Sequence, residues 1–281
     1  MVKLGLTVLL ENEFEIIKNK SIGLITNSTG VNEYLIDNIS LFLSHPNIKL
    51  RAIFSPEHGL WGAIQDAIPV NSSQFRQSNI VIYSLYGDTK KPTKEMLAGL
   101  DTLVFDIQDV GTRFYTYITT MAMAMEACAE NGIEFIVLDR PNPISGIVLE
   151  GNVLEIEFRS YVGYYPILLR YGMTIGELAN LFNDYFDIGV DLKIVKMEKW
   201  EREMWFDNTG LFWVMPSPNM PTLDTATIYP GSCLFEGTNI SEGRGTTKPF
   251  EIIGAPWIDP YMLEKKLNEL DLDGVIFRPL Y

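Results

Sequence analysis

The chain has 281 residues, of which 47% are hydrophobic and 21% are charged, and its formal net charge is −14. These values are ordinary for a globular protein with a large core, and the length allows more than one domain. The acidic balance provides no basic stripe for a phosphate backbone, so we expect no nucleic-acid partner. Because no apolar run is long enough to span a bilayer, we expect no membrane partner either.

The N-terminal residues and the cysteines indicate where the protein acts. The apolar stretch near Met1 is too short for a signal peptide and lacks a small-residue cleavage site. Cys128 and Cys233 lie far apart and belong to no CxxC motif, which argues against a structural zinc site and favours two reduced thiols. We therefore expect a soluble, cytoplasmic protein without a cofactor.

Five apolar runs in the first half each end in a cluster of polar residues. They predict strands at 21–27, 49–54, 79–84, 101–106 and 133–138. Between the strands lie a loop at 55–78 and helical segments at 7–19, 32–44, from 90 onward and 115–131. This alternation predicts an α/β fold with a Rossmann-like parallel sheet. Ligands bind outside the carboxyl ends of such strands, so the polar clusters should converge on one crevice.

The second half of the chain has a different pattern. Thr174 and Glu177 form a capping box for a helix, and Leu192–Val195 reads as a sixth strand. Residues 198–258 lack long periodic elements, and a last helix is predicted from Pro260. We expect a Rossmann-like catalytic domain over 1–145 and a smaller α+β domain over 146–281 that walls the cleft. A strand predicted from Gly274, close to the terminus, suggests that this second domain is incomplete.

The motif Ser55-Pro-Glu-His-Gly59 follows the second predicted strand and carries the first candidate for catalysis. A carboxyl group in a partly apolar pocket keeps its neutral form more easily, which suits Glu57 to the role of a general acid. His58 is the only plausible catalytic imidazole. The structural alternative is a solvated Glu57 with His58 capping a turn.

The densest polar cluster follows the fourth predicted strand and runs from Asp106 to Tyr117. Gly111 permits a tight turn there, after which backbone N–H groups could hold an anion. The candidates for an acid, a base or hydroxyl binding are Asp106, Gln108 and Asp109, and the candidates for clamping a ligand are Arg113 and Tyr115. The structural alternative is an Asp–Arg pair that only fixes the loop.

Three further segments combine amides, charges and rings. The segment after the fifth strand contains Asp139, Arg140 and Asn142, which suit a site or a structural ion pair equally well. The irregular region contains two candidate loops, 217–221 with Asn219, and 236–250 with Asn239, Glu242 and Arg244. Aromatic residues flank these loops, as a sugar-binding cleft requires, although each aromatic taken singly suits a core equally well.

The motifs together resemble one known family. In order, the chain reads SPEHG, SLYG, FDIQDVGTRFYTY, LDRPNP, GMTIGELA, PSPNMPT and EGTNISEGRGTTKPFE. This series resembles the NamZ-type exo-β-N-acetylmuramidase family, formerly a domain of unknown function. The resemblance implies an exo-acting glycoside hydrolase that releases N-acetylmuramic acid from the non-reducing end of peptidoglycan fragments during cell wall recycling. It also implies that Glu57 is the catalytic acid.

Two features depart from the family pattern. Tyr171 stands where members usually have His, and the chain ends at Tyr281 where members usually continue. The first departure bears on substrate specificity, because a side chain at this position can contact the substrate. The second bears on activity, because a longer chain would complete the second domain.

Glycoside hydrolysis usually needs two carboxyl groups, and the sequence leaves the second one open. Glu57 would protonate the leaving oxygen, and either Asp109 or Glu242 would be the base or nucleophile. Candidates for the lactyl carboxylate of muramic acid are Arg113 and Arg244, and candidates for its hydroxyl or acetamido groups are Asn27, Asn219 and Asn239. The alternatives are a metal-assisted hydrolase that uses His58, Asp106 and Asp109, and a non-catalytic amino-sugar-binding protein.

Overall fold

A computed structural model describes residues 1–65, 68–75, 78 and 80–281. The predicted loop at 55–78 and the predicted third strand at 79–84 therefore include positions 66, 67, 76, 77 and 79, which lie outside the described residues. The chain forms two compact units, unit 1 from Met1 to Thr227 and unit 2 from Ile228 to Tyr281.

Unit 1 is built on a seven-stranded sheet and a separate hairpin. The strands are β1 (Ser21–Thr26), β2 (Lys49–Ser55), β3 (Ser73–Gln74), β4 (Val81–Ser84), β5 (Thr102–Asp106), β6 (Glu134–Leu138), β7 (Glu150–Val153), β8 (Leu168–Arg170) and β9 (Leu192–Val195). The order in the large sheet is β3-β4-β2-β1-β5-β6-β9. Its strands pair in parallel except for β3, and β7 pairs with β8 in the antiparallel hairpin.

The helices are mostly short and alternate with the strands. They are α1 (Gly5–Glu11), α2 (Asn38–Ser44), α3 (Lys94–Leu97), α4 (Tyr117–Asn131), α5 (Ile175–Asn180), α6 (Leu223–Ser232) and α7 (Pro260–Asn268). A π-helical turn at Leu181–Tyr185 extends α5. The alternation of parallel strands and helices confirms the predicted α/β class.

The strand order creates a switch point at the middle of the sheet. β1 pairs with β2 on one side and with β5 on the other. The chain adds β2 and β4 on one side of β1, then returns and adds β5, β6 and β9 on the other. In an open parallel sheet, a crevice forms where the order reverses, at the carboxyl ends of the two central strands. The fold thus directs a ligand to the ends of β1 and β5.

The core lies on both faces of the sheet. Every residue of β5 and β6 is buried, and so are five of the six residues of β1. Because both faces are covered, these strands need continuous apolar runs instead of alternation. Burying each Val, Leu, Ile or Phe contributes about 1.5–3 kcal/mol, before the entropy cost of ordering it. The longest helix, α4, buries ten of its fifteen residues and ends at Gly132, whose φ is +65°.

Three predicted helices are shorter in the structure than in the sequence analysis. The helix predicted at 7–19 stops after α1, because Glu13 and Phe14 adopt left-handed backbone conformations. The helix predicted at 32–44 begins only at α2, where the Asp37 side chain accepts a hydrogen bond from the N–H of Ser40 at 2.8 Å. The segment from Lys90 becomes helical only at α3, which Thr93 caps.

Other local predictions had mixed outcomes. The capping box of Thr174 and Glu177 is confirmed at the start of α5. The region 198–258 contains a helix, α6, that the sequence analysis missed. The strand predicted from Gly274 does not form, because both hydrogen-bonding groups of the Phe277 backbone bond to the side chain of Asn268 at 2.9 Å.

The compact units divide at 227/228, within α6, whereas the predicted domain boundary lies at 145/146. The reason is that residues after 145 complete the same sheet, since β9 pairs with β6. No helix in the described part of the chain is long and apolar enough to cross a membrane.

Candidate active site

Glu57 lies just after β2 and is buried, with 6% of its surface exposed. Its Oε2 accepts a hydrogen bond of 2.6 Å from the hydroxyl of Thr116. Thr116 directly precedes α4, which follows β5 in the chain, so the contact joins the ends of the two strands that flank β1. The switch point of the sheet therefore holds a buried carboxyl group.

Two tyrosine side chains, Tyr117 and Tyr161, lie near Glu57. Burial raises the pKa of Tyr117 well above its usual range, and the nearby Tyr115 and the charge of Glu57 raise it further. Burial also raises the pKa of Tyr161, again with a contribution from Glu57. The hydroxyl of Tyr161 lies 2.9 Å from the hydroxyl of Thr120, one turn into α4. Both phenols stay protonated at neutral pH, and each hydroxyl already has a partner: the carbonyl of Pro216 for Tyr117 and the hydroxyl of Thr120 for Tyr161.

Asn27, at the end of β1, presents an amide to the same region. Its Oδ1 accepts hydrogen bonds from the backbone N–H and the hydroxyl of Thr29, at 2.9 and 2.6 Å. Its Nδ2 is buried, and a hydrogen bond from the Asn27 side chain lowers the pKa of Tyr117, although the contact misses strict hydrogen-bond geometry. A poorly satisfied buried donor can be better satisfied by a ligand oxygen. The role predicted for Asn27, binding a hydroxyl or acetamido group, suits this arrangement.

The loop with Asn219 contacts the loop that follows Glu57. The Asn219 amide lies 3.5 Å from the side-chain oxygen of Gln65. In the same loop, the carbonyl of Pro216 accepts a hydrogen bond from the Tyr117 hydroxyl. The contacts bring the second-half motif PSPNMPT to the switch point.

His58 stabilises its own loop. The residue has a φ of +70°, and its Nδ1 lies 2.7 Å from the carbonyl of Ile64. A nitrogen facing a carbonyl must carry the proton, so only Nε2 can act as an acceptor. The structure therefore uses one side of the predicted imidazole to fix the loop that carries Glu57.

Asp109 is a second buried carboxyl group near the end of β5. Its Oδ2 accepts hydrogen bonds from the backbone N–H of Gly111 at 2.7 Å and from the hydroxyl of Tyr171. Its Oδ1 is buried with no hydrogen-bond partner in the described part of the chain. Burial raises the pKa of Asp109 to about 6, although these hydrogen bonds favour the charged form. Asp109 can thus exchange a proton near neutral pH.

Asp106 and Arg140 form a buried ion pair inside the same region. The Arg140 Nε lies 2.6 Å from Asp106 Oδ1, and Asn38 donates to the other carboxylate oxygen at 2.7 Å. Asp106 has no exposed surface and Arg140 only 4%. Gln108 donates to the carbonyls of Asp109 and Pro141, both at 2.8 Å. Asp106, Gln108 and Arg140 were predicted to bind the substrate. In the structure, all three form hydrogen bonds or ion pairs that connect the strand ends.

Asp139 and Asn142 connect the end of β6 to α5. Asp139 accepts hydrogen bonds from the N–H of Gly176 at 2.8 Å and the hydroxyl of Thr174 at 3.1 Å. Asn142 accepts from the N–H of Ile144 at 3.1 Å, and its Nδ2 donates to a carbonyl at 3.0 Å. Burial raises the pKa of Asp139 to about 6. The sequence left open whether this motif forms part of the site or a structural connection, and these contacts are those of a structural connection.

Arg113 holds the hairpin of β7 and β8. Its Nη1 donates to the carbonyls of Asn152 and Ile167 at 2.6 and 2.7 Å. Tyr115 packs edge-on against the ring of Tyr117, with ring centroids 4.9 Å apart. Of the two residues proposed to clamp a ligand, Tyr115 is therefore the one beside the Glu57 region.

Unit 2 carries the remaining candidates. The Arg244 Nη1 lies 2.6 Å from Glu236 and 2.9 Å from Glu242, and its guanidinium lies over the ring of Phe250. Asn239 is exposed. Glu242, a candidate for the second catalytic carboxylate, is thus paired with Arg244, a candidate for binding the lactyl carboxylate.

The metal-assisted alternative is not supported by the site. In the described residues, no three side chains of His, Cys, Asp or Glu are grouped so that they could hold a metal ion. The proposed ligands His58, Asp106 and Asp109 each contact different partners: a backbone carbonyl, Arg140 and Tyr171.

Sequence reasoning missed four residues of the site. Thr116 and Tyr171 bond directly to Glu57 and Asp109, and Tyr117 and Tyr161 lie near enough to Glu57 to feel its charge. Thr116 and Tyr117 lie within a motif that was singled out, so their neighbourhood was visible. Tyr161 and Tyr171 meet Thr120 and Asp109 across 41 and 62 residues of chain. No local pattern encodes such contacts.

A buried acid at the switch point of a parallel sheet, surrounded by hydroxyl groups, defines an α/β enzyme site. The family description "Exo-beta-N-acetylmuramidase NamZ, N-terminal" matches residues 22–224, and the corresponding C-terminal description matches residues 227–281. The chain therefore belongs to the exo-β-N-acetylmuramidase NamZ family, a family of glycoside hydrolases. The family predicted from the motifs is confirmed.

Individual relatives agree with this assignment. The chain is 57% identical over 277 residues to the peptidoglycan beta-N-acetylmuramidase NamZ of Bacillus subtilis (strain 168), which covers 99% of this chain and 67% of that protein. The crystal structure of a DUF1343 family protein from Bacteroides fragilis NCTC 9343 superposes with a TM-score of 0.92 at 44% identity, covering 100% of this chain and 73% of the other. A second such protein gives a TM-score of 0.78 at 36% identity, covering 91% and 67%.

Proposed function

We propose that this chain is an exo-acting glycoside hydrolase that releases N-acetylmuramic acid from the non-reducing end of peptidoglycan fragments. The observation that carries the proposal is the buried Glu57 at the switch point, bonded to Thr116, in a chain of the NamZ family. The peptidoglycan β-N-acetylmuramidase from Bacillus subtilis, 57% identical, supports the choice of sugar. The cytoplasmic location expected from the sequence remains a prediction.

Glu57 acts as the general acid in this proposal. Protonation of the glycosidic oxygen makes it a better leaving group, and a carboxyl group with a single well-placed proton can supply that step. The Thr116 hydroxyl donates a hydrogen bond of 2.6 Å to Glu57 Oε2. This bond fixes the orientation of the carboxyl group relative to the start of α4. The buried amide of Asn27 binds a hydroxyl or the acetamido oxygen of the sugar.

Asp109 is the better candidate for the second carboxyl group. It belongs to the same unit as Glu57, and its pKa of about 6 lets it serve as a base near neutral pH. Glu242, the other candidate, is bonded to Arg244 in unit 2. Asp109 keeps one carboxylate oxygen without a partner among the described residues, and that oxygen can bind water or accept a proton.

The test is the substitution Glu57→Gln, which keeps the shape of the side chain and the acceptor for Thr116. We expect kcat/KM on a chromogenic β-N-acetylmuraminide to fall by about a thousandfold, within the range that general acid catalysis contributes. The matched control is Glu95→Gln on the exposed surface of α3, which should keep wild-type activity. Circular dichroism verifies that both variants fold, and chromatography identifies the released sugar. Near wild-type turnover by the folded Glu57→Gln variant would remove Glu57 from the mechanism.

A further inference from the structure

We propose that Lys90 recognises the carboxylate of the lactyl group of N-acetylmuramic acid, an inference that rests on the function proposed above. This group is what distinguishes muramic acid from glucosamine. A residue that binds it therefore determines which hexosamine the enzyme accepts.

Two tyrosine rings hold the ammonium group of Lys90. Its Nζ lies 4.0 Å from the ring centroid of Tyr161 and 5.1 Å from that of Tyr86. The two rings are neighbours, with centroids 5.6 Å apart and planes inclined by 42°. Cation–π attraction restricts the position of the ammonium group but leaves its charge unneutralised.

The charge of Lys90 is available to a ligand. Among the described residues, no carboxylate lies within 4 Å of its Nζ, and the side chain is exposed. The next residue, Lys91, is different: it pairs with Glu130 at 2.7 Å and with Glu126 at 3.4 Å. In a chain with a net charge of −14, a positioned lysine without an acidic partner is suited to an anionic substrate group.

Lys90 is connected to the catalytic acid through Tyr161. The Tyr161 hydroxyl lies 2.9 Å from that of Thr120, whose N–H bonds to the carbonyl of Thr116 at 2.9 Å. Thr116 in turn holds Glu57. The charge of Glu57 also acts on Tyr161, whose ring lies 4.0 Å from the Lys90 ammonium group, so the acid and the cation adjoin the same tyrosine.

The arginine candidates are less suitable in this respect. Arg113 is 8% exposed, and its Nη1 donates to two backbone carbonyls of the β7–β8 hairpin region. Arg244 belongs to unit 2 and contacts both Glu236 and Glu242. An arginine that already has carboxylate partners would have to exchange them for the substrate, which reduces the net gain.

The experiment compares two substrates with two proteins. The substrates are a chromogenic β-N-acetylmuraminide and its analogue in which the lactyl carboxylate is a neutral primary amide. For the wild type, we expect KM to be about tenfold lower for the acid than for the amide, as for one charge-assisted hydrogen bond. Lys90→Met should raise KM for the acid by about tenfold, with kcat and the KM for the amide unchanged.

Two further variants complete the design. Lys90→Arg should recover most of the preference for the acid, because it restores the cation. Lys94→Met is the matched control, since Lys94 is an exposed lysine of α3 outside the site, and it should leave both KM values unchanged. Calorimetric binding of N-acetylmuramic acid and of N-acetylglucosamine to wild type and Lys90→Met gives a second measurement that needs no turnover.

The outcomes separate the two proposals. If Lys90→Met raises both KM values equally, or changes neither, while the wild type still releases N-acetylmuramic acid, this inference fails and the proposed function stands. If the wild type releases no N-acetylmuramic acid, the proposed function fails. In that case, calorimetry decides the role of Lys90. Equal binding of N-acetylmuramic acid by wild type and Lys90→Met overturns it, and weaker binding of N-acetylmuramic acid but not of N-acetylglucosamine by Lys90→Met upholds it.

Discussion

Three carboxyl groups lie at or just after the ends of β2 and β5, and their neighbours give them different chemistry. Asp106 is fully buried and paired with Arg140, so its charge is already balanced within the protein. Asp109 is bonded to Tyr171 and keeps one oxygen unpaired among the described residues. Glu57 is buried beside hydroxyl groups and bonded to Thr116. At the scale of the residue, the partner of each carboxyl group decides whether it can take part in proton transfer.

Tyr171→Phe tests the role of Asp109. Burial raises the pKa of Asp109, the Tyr171 hydroxyl lowers it by stabilising the charged form, and the net value is about 6. Without this donor, the carboxyl group holds its proton to higher pH. If the ionised Asp109 is the catalytic base, the acidic limb of the pH profile of kcat/KM should move upward by about one pH unit.

Tyr171→His is the matched variant, because an imidazole N–H can replace the lost donor. It should return the acidic limb part of the way toward the wild-type position. An unchanged limb in a folded, active Tyr171→Phe enzyme would show that ionisation of Asp109 does not control the rate.

The elements are connected by a few polar contacts at their ends. Thr174 and Glu177 cap α5, and Asp139 joins the end of β6 to the first turn of that helix. A Cβ at Gly111 would lie 2.4 Å from the Asn142 side-chain oxygen, so the turn after β5 packs directly against the loop after β6. At the scale of the element, these contacts hold the loops at the switch point in place, and the residues that make them are bonded to other protein groups.

Asp139 makes the stability of the protein depend on pH. Its pKa is about 6 in the folded state, above the ordinary value of 3.8, so ionisation opposes folding. The free energy of unfolding should therefore decrease as pH rises from about 4 to about 6, by on the order of 2–3 kcal/mol from this group. Asp109, with a similar pKa, acts in the same direction.

Asp139→Asn should reduce this pH dependence, because the amide oxygen still accepts from the N–H of Gly176 but the side chain does not ionise. Urea unfolding at pH 4.5, 5.5 and 7 measures the change. The exposed Asp88→Asn is the control and should unfold with the wild-type pH dependence. A wild-type pH dependence in Asp139→Asn would contradict the assignment.

The whole molecule combines one enzyme-like unit with a smaller one. The compact units divide at 227/228, and the two family segments end at 224 and begin at 227. Unit 1 contains the entire seven-stranded sheet and the region of Glu57. Unit 2 contains α7 and the cluster of Arg244 with Glu236 and Glu242. At this scale, the strand order of unit 1 positions the crevice.

Hydrolysis should not depend on a metal ion. In the part of the chain that the structure describes, His, Cys, Asp and Glu side chains form no group that could hold one. We expect activity on the chromogenic muraminide to stay within about twofold after extended treatment with a chelator, since general acid–base catalysis needs only protein groups. Loss of activity that an added divalent cation restores would contradict this expectation.

The sequence by itself determined the α/β class, the parallel strands, the capping box at Thr174 and the family. These features are local: burial on both faces requires continuous apolar runs, a cap requires two residues three apart, and each family motif is contiguous. Glu57 could be selected for the same reason, because its motif directly follows a recognisable strand.

Only the tertiary structure decided how the polar residues divide between the site and the scaffold. Asp106 and Asp109 are three residues apart in the sequence, yet one meets Arg140 and the other meets Tyr171. Lys90 and Lys91 are adjacent, yet one lies over two tyrosine rings and the other pairs with glutamates. The physical reason is that burial and partners come from segments distant in the chain, and these contacts leave no periodic pattern in the sequence.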